Sequence, residues 1–213
     1  ILDLWLEVQR RWNYLRGIFN NADIKAQLPS QYSKFKSVDS EFVALMKKVS
    51  MKPNVMEVLQ IENLHRQLER QEGSMNLIQK ALGEYLERQR LIFPRLDFVN
   101  NDDLVEIIGN SKEPTKVVPH LSNMFAALSG IEMEGSGDDL HATAMTSRDG
   151  ELIPFKTAVK MMGPDTGVKD WLIGIEDQMR HTLALLLNSS INDMPDKNAV
   201  ASDGDGLMKW AET

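Results

Sequence analysis

The stretch Ile61-Glu62-Asn63-Leu64-His65-Arg66-Gln67-Leu68-Glu69-Arg70-Gln71-Glu72-Gly73-Ser74-Met75-Asn76-Leu77-Ile78-Gln79-Lys80-Ala81-Leu82-Gly83-Glu84-Tyr85 carries the longest regular hydrophobic pattern in the chain. Ile61, Leu64 and Leu68, then Met75, Ile78, Leu82 and Tyr85, recur at heptad spacing, and polar Gln71 interrupts the series once. Arg66, Glu69, Arg70, Glu84, Glu87, Arg88 and Arg90 charge the flanking faces, as suits a long helix of an antiparallel bundle. The interruption stands beside Gly73-Ser74, where glycine costs about 1 kcal/mol relative to alanine in a helix interior. The pattern therefore predicts either one kinked helix or two abutting ones.

On the N-terminal side, Trp5, Val8, Trp12, Leu15 and Phe19 fall on one helical stripe, which Asn20, Asn21 and Pro29 end. A shorter helix bearing Val38, Phe42, Leu45, Met46 and Val49 follows, before Pro53. On the C-terminal side, Phe93-Pro94 stops the long helix, because a proline disfavours helical geometry in the residue before it. The next helix is short, with Asn101 or Asp102 as cap and Asp103 and Glu106 near the positive end of the dipole. Gly109-Asn110 closes it, and Pro114 opens another with Val117, Val118, Leu121, Phe125 and Leu128 as its core face.

Between Gly130 and Gly163 the period changes. Residues 140–147 and 151–161 read as strands joined by Ser147-Arg148-Asp149-Gly150, a short connection of hairpin type. Pro154 cannot donate to a ladder, which makes its strand an edge or a bulged one. Residues 131–134 offer a third short strand, with 135–139 as the turn. A last full helix over 168–187 turns Val168, Trp171, Leu172, Ile175, Met179, Leu183 and Leu186 inward. Residues 188–206 read as a flexible loop and 207–213 as the first turns of a further helix that the sequence cuts off. The expected fold is mainly α: an elongated helical bundle or arched rod with a small antiparallel β-hairpin insertion near 131–161. It divides into a helical part at 1–130, the insertion at 131–162 and a helix, loop and helix start at 163–213. With Ile1 already in a helical pattern, the chain reads as a segment of a longer protein.

Composition bounds the function. The content of 42% hydrophobic residues is globular, and the absence of cysteine excludes disulfides, thiolate catalysis and Cys-based zinc sites. The net charge of −7 argues against a nucleic-acid binder, whose affinity would come from Lys and Arg on phosphates. That charge is uneven: residues 1–100 carry 15 basic against 12 acidic residues, and residues 101–213 carry 9 against 19. No apolar run approaches the roughly 20 residues of a membrane span. None of the 13 glycines precedes a lysine, so a phosphate-cradling P-loop is missing. His65, His120, His141 and His181 form no metal pattern, and no nucleophile elbow is present. The carboxylates Asp102, Asp103 and Glu106 are explained by helix capping, and Glu132, Glu134, Asp138 and Asp139 by an exposed turn. Asp203-Gly204-Asp205-Gly206 lacks the alternating ligands of a calcium loop. The residues alone describe a non-catalytic helical element with neither a catalytic residue nor a metal or cofactor site.

Three stretches go further. Leu4-Trp5-Leu6-Glu7-Val8-Gln9-Arg10-Arg11-Trp12-Asn13-Tyr14-Leu15, with Ile18-Phe19, Ala22-Asp23-Ile24 and Leu28-Pro29 behind it, resembles the linker region (N-terminal region 2) of dynein heavy chains. So does Gln79-Lys80-Ala81-Leu82-Gly83-Glu84-Tyr85-Leu86-Glu87-Arg88-Gln89-Arg90, followed by Phe93-Pro94-Arg95 and Asp102-Asp103-Leu104-Val105-Glu106-Ile107-Ile108-Gly109-Asn110-Ser111-Lys112. Ser147-Arg148-Asp149-Gly150-Glu151, Phe155-Lys156 and Trp171-Leu172 extend the likeness. One departure follows Phe93-Pro94-Arg95, where the family usually has two aromatics in a row and this chain has Leu96-Asp97-Phe98; it puts the packing or a ring contact there in question. The wording of the second stretch is closer to the cytoplasmic than to the axonemal branch.

The resemblance implies a mechanical lever. The linker of such motors arches over a ring of AAA+ modules and bends and straightens with ATP turnover, driving minus-end-directed movement on microtubules. The implied partners are the AAA+ ring of the same heavy chain and, in the parent complex, microtubules, a second heavy chain and accessory chains, in the cytoplasm on the cytoskeleton. ATP and Mg²⁺ belong to the parent chain, outside this segment. Arg148, Asp149 and Gly150 are expected to touch the ring, and Gly73, Ser74, Phe93, Pro94 and the loop from Asn188 are the candidate joints. The rival expectation is a non-motor scaffold or adaptor bundle of spectrin-like type, which shares the heptads but has no β-hairpin.

Overall fold

The computed structural model describes residues 1–164 and 166–193, so the expected helix start at 207–213 and most of the loop expected from 188 lie outside the described residues. Two compact units divide between Ala126 and Ala127.

The first unit is helical throughout. Helix α1 (Leu2–Ile18) buries Trp5, Val8 and Leu15 along the expected stripe, and Phe19 is buried just past its end. Trp12 is half-buried, donating its indole N–H to Asp39 at 2.8 Å with its ring 5.0 Å from Phe42. A short α2 (Ala22–Gln27) follows, capped by Asn21, whose side chain accepts from the Asp23 amide. Pro29 is not merely a stop: it is the first residue of α3 (Pro29–Met51), a position where its missing N–H would have had no partner anyway. After a single turn, α4 (Val55–Val58), the heptad region forms α5 (Leu64–Ile92), packed against α1 and α3.

Helix α5 runs through Gly73-Ser74 as one 29-residue element, so of the two expected forms the pair of abutting helices is absent. Leu64, Leu68, Gln71, Met75, Ile78, Leu82 and Tyr85 are all buried, the polar Gln71 included. A Cβ on Gly73 would meet nothing within 4 Å. Gly73→Ala is therefore expected to stabilise the chain by about 1 kcal/mol, the propensity difference with no steric offset. A denaturant midpoint that falls in this variant would contradict the reading.

The long helix ends at Phe93, and a 3₁₀ turn (Pro94–Phe98) leads into α6 (Asn101–Gly109). Its cap is Asn100, one residue before the expected pair: the Asn100 carboxamide oxygen accepts from the Asp103 amide at 2.8 Å while its nitrogen donates to the Asp103 carboxylate. The single helix expected from Pro114 to Leu128 is broken into α7 (Pro114–Val117), a 3₁₀ turn at Val118–His120 and α8 (Leu121–Met124). Pro119 explains this, since it has no N–H to donate to the carbonyl four residues earlier. Leu128 is buried, but it starts a strand.

The second unit is a three-stranded antiparallel sheet in the order β1 (Leu128–Glu134), β2 (His141–Ser147), β3 (Leu152–Lys160), with α9 (Val168–Asp193) packed on β3. The first strand starts three residues earlier than the sequence suggests. Pro154 lies on an edge strand and borders a bulge: Ala142 pairs with Val159 but Ala144 with Pro154, so the intervening β3 residues leave the ladder. Two of their amides find partners on α9, Lys156 donating to the Thr182 hydroxyl and Thr157 to the Gln178 carboxamide, each at 3.2 Å.

Helix α9 corrects two expectations. It stays helical to Asp193, through the start of the supposed loop, and Leu183 and Leu186 are 46% and 48% exposed where burial was expected; Thr182 is buried instead. The sheet is too short to cover it. Nine residues of β3 span at most about 30 Å, whereas the 26 residues of α9 run for about 39 Å.

Candidate functional site: a braced corner and a hairpin tip

Two of the sequence blocks that carry the family likeness, residues 4–29 and 79–112, meet in the first unit. Arg11 of α1 reaches α5, 3.5 Å from the Gln79 carboxamide and 3.8 Å from the Glu72 carboxylate. Tyr14, also on α1, lies beside Asp102 at the start of α6; burial, with the Asp102 carboxylate adding, raises the phenol above its ordinary value. Helix α2 packs on α6. There the Ser111 hydroxyl donates to Asp23 at 2.5 Å, and Gly109 abuts Asn21 so closely that a Cβ would stand 2.3 Å from the Asn21 amide nitrogen.

The corner after α5 is pinned by Arg90. Its guanidinium donates to the backbone carbonyls of Leu96 and, at 2.8 Å, Val99, and to the Asn101 carboxamide at 2.6 Å, while Nε lies 3.4 Å from Glu87. Arg95 donates to the Met124 carbonyl at 3.2 Å and lies 4.6 Å from the centre of the Phe125 ring. Phe93 and Leu96 are buried and Phe98 is 72% exposed, so in the departing Leu96-Asp97-Phe98 stretch the leucine fills the core and the aromatic does not.

The expected joints thus sit in different surroundings. Gly73 and Ser74 lie mid-helix with open space at Gly73. Pro94 is exposed, but Phe93 is buried beside the Arg90 clasp. In the sequence Arg90 is one more charged flank; only its three-acceptor geometry reveals the clasp, and the one advance signal is its place four residues before Pro94.

In the second unit, Arg148, Asp149 and Gly150 are exposed at the tip between β2 and β3. Gly150 takes φ +85° and donates to the Ser147 carbonyl at 3.1 Å; the Ser147 amide donates to the Glu151 carbonyl at 2.9 Å, and the Arg148 amide ties the tip to Ala127 at 3.0 Å. The tip backbone is fixed while its side chains point to solvent. Among the described residues there is no group of three or more His, Asp or Glu side chains that could hold a metal ion, and no helix is long and apolar enough to cross a membrane.

The sequence model of the family described as dynein heavy chain, N-terminal region 2, matches residues 1–190. The chain belongs to that family. Among its relatives, the cytoplasmic dynein heavy chain of Neurospora crassa is 42% identical over all of this chain and 5% of its own length. That of Paramecium tetraurelia is 45% identical over 91% of this chain and 4% of its own, and that of Drosophila melanogaster 43% over 100% and 4%. The chain therefore corresponds to a small part of these heavy chains, and it is a segment of dynein heavy-chain type. A three-stranded sheet, foreign to a spectrin-like bundle, fits this assignment.

Proposed function

We propose that this dynein heavy-chain segment is part of the mechanical linker of a microtubule motor in the cytoplasm, bending and straightening over an AAA+ ring as ATP turns over. The observation that carries the reading is the family match over residues 1–190, supported by the way α1, α5, α2 and α6 brace one another. A lever needs helices that do not yield along their length, and wide buried stripes with cross-braced ends supply that. In this reading the segment contributes no catalytic group; ATP and Mg²⁺ act elsewhere in the heavy chain, and the ring, microtubules, a second heavy chain and accessory chains are its partners. The direct test is a donor–acceptor pair on α5 and the ring of the intact motor: a separation that does not change between nucleotide states rules the lever out.

Gly73-Ser74 is the joint this reading favours, because a joint at Phe93-Pro94 would have to release the Arg90 clasp. The exposed tip at Arg148, Asp149 and Gly150 is the proposed ring contact. Arg148→Ala with Asp149→Ala in the intact motor is expected to lower gliding velocity and microtubule-stimulated ATPase activity about two-fold or more, the scale of one or two exposed charge contacts. Unchanged values of both would exclude the tip as a contact.

A further inference from the structure

One face of α5 forms a polar furrow. Asn63, Arg66, Gln67 and Arg70 line a hollow of about 440 Å³, and Arg70, Gln71, Ser74 and Leu77 continue it into a second of about 380 Å³ walled by Lys34, Ser37, Val38 and Glu41 of α3. These α5 positions follow i, i+3, i+4, i+7 spacing, so the furrow runs along the helix for about 21 Å, some four turns.

Three features mark it as a surface for a ligand. First, Gln71 in its floor is 1% exposed, and neither its amide nitrogen nor its oxygen has a hydrogen-bond partner among the described residues. A buried carboxamide without partners is costly, and a docking group that supplies both a donor and an acceptor would remove the cost. The groups flanking it, Arg70 and Leu77, are 65% and 67% exposed and can swing aside to admit one. Second, the lining is cationic: Arg70 is matched by Glu41 at 2.6 Å, but Lys34 and Arg66 are exposed and have no ion-pair partner among the described residues. Third, Gly73, next to the lining Ser74, has no side chain and open space beside it, so another backbone can come close.

The furrow differs in kind from the chain's other uncovered surfaces. The groove of Leu2, Trp5, Leu6, Val49 and Val55, and the exposed leucines of α9, are apolar and of the composition that permanent packing uses. The α5 furrow, with carboxamides, cations, a serine and one exposed leucine, has the composition of a reversible interface. We propose that it binds an acidic helical segment of a separate partner polypeptide, whose carboxylates meet Lys34 and Arg66, whose amide group meets Gln71, and whose apolar residue covers Leu77.

This stands apart from the lever reading, because binding is read without nucleotide turnover. The probe is a labelled, photoreactive four-turn peptide with glutamates and one glutamine on a single helical face and a leucine at one end, added to purified heavy chain. Saturable binding is expected, with photocrosslinks confined to the furrow, at residues 63–77 of α5 with its cap and 34–41 of α3. Lys34→Glu with Arg66→Glu should weaken it about ten-fold or more, and Gln71→Leu should weaken it with helicity intact by circular dichroism. Lys48→Glu, away from the furrow, should leave it unchanged. A peptide of the same composition scrambled off helical spacing that binds equally, crosslinks elsewhere, or loss of probe to inorganic phosphate that itself protects the furrow would each overturn the proposal.

Discussion

Arg90→Ala is expected to cost the chain about 3 kcal/mol of stability, a large share of the 5–15 kcal/mol that ordinary domains possess. The side chain is only 11% exposed and its guanidinium serves the Leu96 and Val99 carbonyls and the Asn101 carboxamide at once. Hydrogen bonds from a charged donor contribute about 1.5–3 kcal/mol each, and removing the donor also strands partly buried carbonyls that cannot turn to water without opening the corner. The Glu87 contact adds little, because that carboxylate is 71% exposed. Arg90→Lys should recover less than half of the loss, since an ammonium is a point donor and cannot span three acceptors as a planar fork does. Urea unfolding of both variants measures this. An unfolding free energy for Arg90→Ala within about 0.5 kcal/mol of the parent, the range of an ordinary surface change, would mean the clasp is idle.

Periodicity made much of this fold legible. The heptads of α5 and the tryptophan stripe of α1 announce themselves because burial repeats with the helical period, and even the interruption at Gln71 proved to be a buried position. The hairpin was legible from its turn residues and Pro154 from its missing donor. What escaped reading depends on partners distant in sequence. Leu183 and Leu186 continue the apolar stripe of α9, and only the length of β3 says that the sheet does not reach them. The break at Pro119 is hidden because the apolar spacing around it runs on. Asn100 lost the cap assignment to its neighbours because Asn, Asn and Asp stand in a row with equal propensity, and backbone geometry alone chooses among them.

The candidate site divides in the same way. Resemblance located the blocks, but the contacts between them, Arg11 to Gln79, Tyr14 to Asp102 and Asp23 to Ser111, have no local signature. They also give the blocks a physical reason to occur together, since each supplies one side of a brace that the other completes. Arg148, Asp149 and Gly150, by contrast, are exposed at a tip that the local turn residues alone announce.

The brace between α2 and α6 supplies the sharper test of that argument. Gly109→Ala would set a Cβ 2.3 Å from the Asn21 amide nitrogen and 2.8 Å from its Cγ. The Asn21 side chain could swing away, but its oxygen caps α2 through the Asp23 amide at 2.9 Å, so yielding means losing the cap, an effect of about 0.5–2 kcal/mol. Displacing Asn21 also disturbs Asp23, which holds Ser111. Together these place the expected loss at about 2 kcal/mol, although glycine to alanine within a helix would otherwise gain up to about 1 kcal/mol. Gly17→Ala is the control: it lies in α1 with nothing within 4 Å of its Cβ, and it should be neutral or mildly stabilising. Asn21→Ala alone should cost about 1 kcal/mol as a lost cap. In the double variant the clash has nothing to strike, so Gly109→Ala should then cost almost nothing, leaving a coupling of about 1 kcal/mol or more between the two sites. Strict additivity in denaturant unfolding would show that α2 and α6 are neighbours without being braced, and that the sequence blocks they carry are held together by something other than this contact.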